Sequence, residues 1–295
     1  MVNVELERDQ KVGRWKVIRK LAEGGFGAVY HAIDEKTNDD CAIKIEACDQ
    51  NSVLKMEAFV LMQLRGRSPH ACAFLGCGRQ DGKLNYLVMT LVGRSLSDLH
   101  RSRPDRKFSH ATVARLAIQC IEALEDLHNI GFIHRDVKPG NLAIGRTNMD
   151  RRVVYILDFG LARRYSSDPS NKDLRPARQG VGFRGTVRYA SINVHDGLEQ
   201  GRHDDLLSLM YVLVEFRASR LPWNDVDDDD EVARMKRKIP VAQLLKDVDA
   251  EYSTLYTRLA KMQYKDKPDY EWMIGVLQSL QRRQKYADDG AFEWE

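Results

Sequence analysis

Within the run His134-Arg135-Asp136-Val137-Lys138-Pro139-Gly140-Asn141, a carboxylate, an amine and a carboxamide fall inside one short stretch of chain. A carboxylate can take the proton of an attacking hydroxyl, and an amide oxygen is a ligand that a hard divalent cation favours. Asp136 is therefore the candidate base and Asn141 a candidate ligand for Mg²⁺. His134 reads as a buried imidazole that braces the loop rather than as a second base. Seventeen residues past Asn141, Asp158 opens Asp158-Phe159-Gly160 at the end of the apolar run Val153 to Leu157. With Asn148-Met149-Asp150 making a hairpin-like turn between them, Asp158 would come back beside Asn141. It would add a second oxygen ligand for an ion that bridges phosphates.

Two upstream stretches suit a polyphosphate. Ala22-Glu23-Gly24-Gly25-Phe26-Gly27-Ala28-Val29 reads as strand, turn and strand, with glycines that let backbone approach phosphates closely and Phe26 at the tip to cover them. Cys41-Ala42-Ile43-Lys44 reads as a strand that presents an amine to the α- and β-phosphates, provided that a carboxylate holds it. Glu57, on a helix expected over Val53–Leu64, is the candidate holder, and pairing would keep Lys44 protonated. Glu46 competes for that role, but two residues along the same strand it would align poorly with Lys44.

Positioning these groups needs two kinds of scaffold. From Trp15 to about Val92, short β-branched runs broken by Gly and Asp/Asn turns predict a sheet with one inserted helix. From Leu96 onward helical periodicity dominates, as in Thr112 to His128, where Val113, Leu116, Ala117, Cys120, Leu124 and Leu127 share a face. The class changes near residues 90–95, with Gly93 as a hinge. An α+β architecture follows, with a small β-rich lobe over about 12–92, a larger α-helical lobe over about 93–295, and residues 1–11 as an N-terminal extension.

The composition agrees: 295 residues, 43% hydrophobic and 30% charged, belong to a globular chain with ample core. A formal net charge of +3 is too small to imply nucleic-acid binding, although Arg-rich residues 163–188 contrast with the acidic run Asp225 to Glu231. No apolar run approaches the roughly 18 residues of a membrane span, so the chain is expected to be neither secreted nor inserted. Cys41, Cys48, Cys72, Cys77 and Cys120 match no metal-ligand spacing and are expected as free thiols.

Taken in order, the four motifs resemble those of the protein kinase superfamily, and Lys138, two residues after Asp136, resembles its serine/threonine class. Gly182-Phe183-Arg184-Gly185-Thr186-Val187-Arg188-Tyr189-Ala190-Ser191 with Ile192-Asn193 stands where Ala-Pro-Glu is usual and resembles the casein kinase 1 group, most closely its tau-tubulin kinase branch. The segments Phe74 to Arg79, Gly201 to Leu206 and Leu221-Pro222-Trp223 support it, and the likeness runs from about residue 12 to the end. It implies a bilobal fold and transfer of the ATP γ-phosphate to protein serine or threonine with ATP and Mg²⁺ as cofactors. Asp136, Lys138, Asn141, Lys44 and Glu57 would carry the catalysis, with Asn141 and Asp158 on the metal. The nucleotide would contact Ala22, Glu23, Gly24, Gly25, Phe26, Gly27, Val29, Ala42 and Lys44, gatekeeper Met89, hinge residues Thr90 and Leu91, Asp98 at the ribose, and Asp158. Asp205 would steady the catalytic loop, and Thr186 would hydrogen-bond both the base and Lys138.

The resemblance further implies protein substrates, cytoskeletal ones among the candidates, no nucleic-acid or membrane partner, a monomer, and a cytoplasmic location extending to the nucleus. It implies no long regulatory tail, and activity that does not await phosphorylation of Ser166, Ser167, Ser170 or Thr186. Arg178, Arg184 and Arg188, with Arg175, would gather as an anion site favouring acidic or phosphate-primed substrates. Three departures from the family pattern stand out: Ala22 for the first glycine of the phosphate loop, Gly140 for Ser or Glu, and Leu207 for Trp. A positive φ at Ala22 would strain an alanine and weaken nucleotide binding. A fold that binds nucleotide without transferring phosphate would ordinarily lack the Lys, the base or a metal ligand, and all are present here.

Overall fold

The computed structural model describes residues 5–24, 27–48, 52–168, 173–287 and 290–295. Gly25, Phe26 and Ser170 lie outside them. The N-terminal part is a six-stranded antiparallel sheet formed by β1 (Lys11–Val12), β2 (Trp15–Gly24), β3 (Gly27–Asp34), β4 (Asp40–Ala47), β5 (Phe74–Gln80) and β6 (Leu84–Thr90), in the order β1-β2-β3-β4-β6-β5. Strict alternation drives it: along β3 every second residue, Ala28, Tyr30, Ala32 and Asp34, turns inward. Residues of the presumed extension pack on this sheet too, with Leu6 buried and its N–H donating to Tyr30 Oη at 3.1 Å.

Helix α1 (Leu54–Leu64) is the single inserted helix and begins one residue later than its periodicity suggests. Val53 offers no side-chain cap, and Glu46 does the work: its Oε2 accepts from Val53 N at 3.0 Å and Leu54 N at 3.2 Å. A cap of this kind is worth about 0.5–2 kcal/mol. Glu46 is therefore committed to starting the helix that carries Glu57.

Beyond β6 the chain turns helical through α2 (Leu96–Ser102) and α3 (His110–Asn129). Ser109 caps α3 by accepting from Thr112 N at 3.2 Å, and the expected face from Val113 to Leu127 is buried. Two short ribbons follow: β7 (Phe132–Ile133) pairs with β10 (Arg163–Arg164), while β8 (Leu142–Ile144) pairs with β9 (Val154–Ile156). After α4 (Ile192–His195), helix α5 (Arg202–Ala218) runs through the middle of this lobe, buried continuously from Arg202 to Leu207 and from Leu209 to Phe216. It packs against α3 and α8 (Ala250–Leu259), and the lobe also holds α6 (Asp229–Lys238), α7 (Val241–Leu244) and α9 (Tyr270–Gln284), the last packed on α3. Leu207 is buried in this core. All five cysteines are free, and among the described residues no helix is long and apolar enough to cross a membrane.

Candidate active site

The loop after β7 is fixed from below by one carboxylate. Asp205, in the first turn of α5, is buried, and its oxygens accept from His134 N at 2.7 Å and Arg135 N at 2.8 Å, with His128 Nε2 at 2.9 Å. Burial works against its charge, but His128 and these donors outweigh it and hold the carboxyl below its ordinary range. This grip sustains the left-handed backbone of Arg135, φ +69°. His134 has no exposed surface; Asp136 N donates to its Nδ1 at 3.2 Å, which leaves Nε2–H to donate to Leu157 O at 2.9 Å. It braces the loop, as expected.

So held, Asp136 points its carboxylate at a ring of donors. Lys138 Nζ donates to Oδ2 at 2.7 Å and Thr186 Oγ1 to Oδ1 at 2.6 Å. Asn141 Nδ2 donates to the Asp136 carbonyl at 2.9 Å, and Lys138 reaches Thr186 Oγ1 at 3.3 Å. Gly185 lets Thr186 come this close: at φ +110°, a Cβ would overlap the Arg135 carbonyl oxygen. Only glycine fits there.

The second cluster closes over the first. Lys44 Nζ donates to Glu57 Oε2 and to Asp158 Oδ1, both at 2.7 Å, joining β4, α1 and the turn after β9. Burial disfavours the ammonium, yet Glu57 and Asp158 outweigh it and raise its pKa. Burial likewise opposes the Asp158 charge and loses to Lys44, so that carboxyl sits below its usual range. For the fully enclosed Glu57, burial prevails over the pull of Lys44 and pushes its carboxyl up. Asp158 has φ +65°, with Gly160 N donating back to Oδ1 at 3.3 Å.

The oxygens left over fit a magnesium ion. Asn141 spends its Nδ2 on Asp136, and Asp158 spends Oδ1 on Lys44 and Gly160; Asn141 Oδ1 and Asp158 Oδ2 have no partner among the described residues. Two hard oxygens without a larger protein cage are what Mg²⁺ uses when phosphates and water complete its shell.

The sequence profile of the protein kinase domain matches residues 15–279, which takes in every group just described. The chain belongs to the protein kinase family. Over 284 residues this kinase domain is 40% identical to a Dictyostelium discoideum protein named a probable serine/threonine-protein kinase, covering 96% of the present chain and 57% of that relative. Over 287 residues it is 36% identical to a Caenorhabditis elegans protein named a putative serine/threonine-protein kinase, covering 96% of this chain and 82% of the relative. The chain thus spans little more than half the length of the first.

The remaining expected nucleotide residues that the structure describes lie along β2, β3, β4 and β6, in the connection that follows, and at the start of α2. Val29 pairs across the sheet with Lys44, and Ala42 with Met89, so these four are contiguous. β6 stops at Thr90, and Leu91 begins the connection to α2. Glu23 and Gly24 end β2 opposite Ala28 and Gly27. Ala22 pairs with Val29 inside the strand and has no positive φ, so the anticipated strain is absent. Among the described residues of this loop, the position that requires glycine is Gly27, φ +132°, where a Cβ would overlap the Ile45 carbonyl oxygen. Asp98 on α2 accepts from Ser95 Oγ at 2.8 Å and pairs with Arg101.

The arginines differ in what already holds them. Arg178 is engaged bidentately by Glu199, at 2.6 and 3.1 Å, and Arg163 lies 3.2 Å from the same carboxylate. Arg188 reaches Glu215 at 3.9 Å and Asn224 O at 3.4 Å with its side chain 43% exposed, while Arg184 is exposed, its guanidinium donates to Phe183 O at 2.9 Å, and it pairs with no carboxylate among the described residues. Trp223 Nε1 donates to Arg188 O at 2.8 Å, which brings the start of the acidic run after Asn224 close to this segment. Sequence reasoning did not assign Glu199, or the Lys236 contacts described below. Both act through partners distant in the chain, and no local motif marks either.

Proposed function

We propose that this chain is an ATP- and Mg²⁺-dependent serine/threonine protein kinase of the casein kinase 1 group, nearest its tau-tubulin branch, that favours acidic or phosphate-primed protein substrates. The observation that carries the reading is the Asp136 carboxylate, oriented by Lys138, Thr186 and Asn141 beside an intact Lys44–Glu57–Asp158 cluster. Asp136 accepts the proton of the substrate hydroxyl and aims its oxygen in line. Lys138 sits where it neutralises charge on the phosphoryl group in flight, and Lys44 steadies the phosphates that stay behind. Mg²⁺, when bound, would supply charge neutralisation to the nucleotide phosphates, and Asn141 and Asp158 would be the residues that hold it.

The acidic preference rests on Arg184, which pairs with no carboxylate among the described residues, and on the half-exposed Arg188. Arg178 is already neutralised by Glu199 and lends less. Cytoskeletal substrates, a monomeric state and a cytoplasmic and nuclear location belong to the same reading through the resemblance. The test is incubation with radiolabelled ATP, Mg²⁺ and casein, followed by phosphoamino-acid analysis. Label on phosphoserine and phosphothreonine is expected. Binding of nucleotide without transfer would make the chain a binding module instead.

A further inference from the structure

Lys236, near the end of α6, is only 3% exposed, and no carboxylate lies within ion-pair distance of it among the described residues. Its Nζ instead donates to Val187 O at 2.6 Å and Ala190 O at 2.7 Å, and lies 3.2 Å from His195 Nε2 on α4. The rings of Tyr211 and Trp223 complete the enclosure, each centroid 5.2 Å from Nζ. Burial, opposed only weakly by Asp229, pulls its pKa down to about 7, and enclosing such a polar group away from water is costly in either form, so its retention calls for a job that an apolar side chain could not do.

The two carbonyls locate that job. Val187 and Ala190 bracket Arg188 and Tyr189, and they follow directly on Thr186, whose hydroxyl holds the Asp136 carboxylate. Tyr189 N and Ala190 N both fold back onto Thr186 O at 3.0 Å, and Ala190 N also lies 3.3 Å from Val187 O, making a tight turn whose Val187 and Ala190 carbonyls Lys236 ties down. We propose that Lys236 is a positioning residue: by pinning the 187–190 turn to α6 it sets the place of Thr186 against Asp136 and of Arg188 on the peptide side. Burial, with smaller repulsion from Lys236 itself and then from Arg237, pulls His195 down to about 4 and keeps it a neutral imidazole. Its Nε2 can therefore accept from the ammonium or donate to the free amine, and either form of Lys236 holds both carbonyls.

This inference rests on the kinase reading, and its test separates the two. In the full chain, Lys236→Met should lower kcat/KM for an acidic peptide about tenfold or more while KM for ATP stays within about twofold. Lys236→Arg, which keeps a cation and its donors, should regain part of the loss. Hydrogen exchange should be faster at the Tyr189 and Ala190 amides and unchanged in the sheet. That measurement needs no turnover, so it decides the inference even if the wild type transfers no phosphate. Should the Met variant fail to fold, Lys236→Gln is read in the same way. Unchanged peptide kinetics and exchange in a folded variant would overturn the proposal, as would equal losses for ATP and peptide.

Discussion

Replacing Lys44 by Met tests the electrostatics of the cleft most sharply, because two carboxylates depend on one ammonium. Asp158 is partly exposed and can be rehydrated, but the Glu57 side chain is 2% exposed and would be left buried without a counter-charge. Breaking a buried pair from one side costs about 3–5 kcal/mol. In a domain of this size that is a fall of roughly 10 °C in Tm. Lys44→Met/Glu57→Gln removes the stranded charge and should recover most of that loss. Turnover should not recover, because a preorganised donor on the phosphates is worth about 10²–10³ in kcat. The sign with pH follows from burial, which already raises the Glu57 carboxyl above its ordinary 4.5. A group raised in the folded state supports folding while protonated and loses that support as pH rises through its folded pKa. Hence the gap between single and double variants, followed by denaturant melts, should narrow on acidification. Equal stability of the two at neutral pH, or restored turnover in the double variant, would refute the reasoning.

Three further outcomes are expected. Ala22→Gly should leave KM for ATP within about twofold and cost about 0.5–1 kcal/mol in a melt, since Ala22 is an unstrained strand residue. Arg188→Ala should raise KM for acidic or primed peptides much more than for neutral ones, and added salt should weaken the wild-type preference; equal losses on both would reduce Arg188 to holding its segment together. Protein made in bacteria and treated with phosphatase should be active, because the Lys44–Glu57–Asp158 cluster and the Thr186–Asp136 bond both form without any phosphorylated side chain; a strict need for an upstream kinase, seen in the same assay, would contradict this.

Much of the site was legible because its groups are tied to local motifs. Asp136, Lys138 and Asn141 lie on one loop, and the β8–β9 ribbon returns Asp158 to it as the spacing implied. The choice of Glu57 over Glu46 was also legible, from strand geometry, although the helix-starting role of Glu46 was not. At Ala22 the sequence left a condition open: a positive φ would strain an alanine, but the backbone there is ordinary strand, and among the described residues of the loop the positive φ falls at Gly27. The arginine cluster was the least legible part, because a run of like charges does not reveal which members a distant carboxylate already holds. Glu199 neutralises Arg178 across a separation of 21 residues, and nothing near Arg178 announces it.

The central claim is that Asp136 is the base of phosphoryl transfer, and Asp136→Asn tests it most directly. An amide keeps the size of the side chain but is a far weaker proton acceptor, while Lys44 and Asp158 are untouched. Transfer of label from radiolabelled ATP to casein should fall by about 10²–10⁴ with ATP binding retained. Near-normal phosphorylation by the Asn variant would contradict the account.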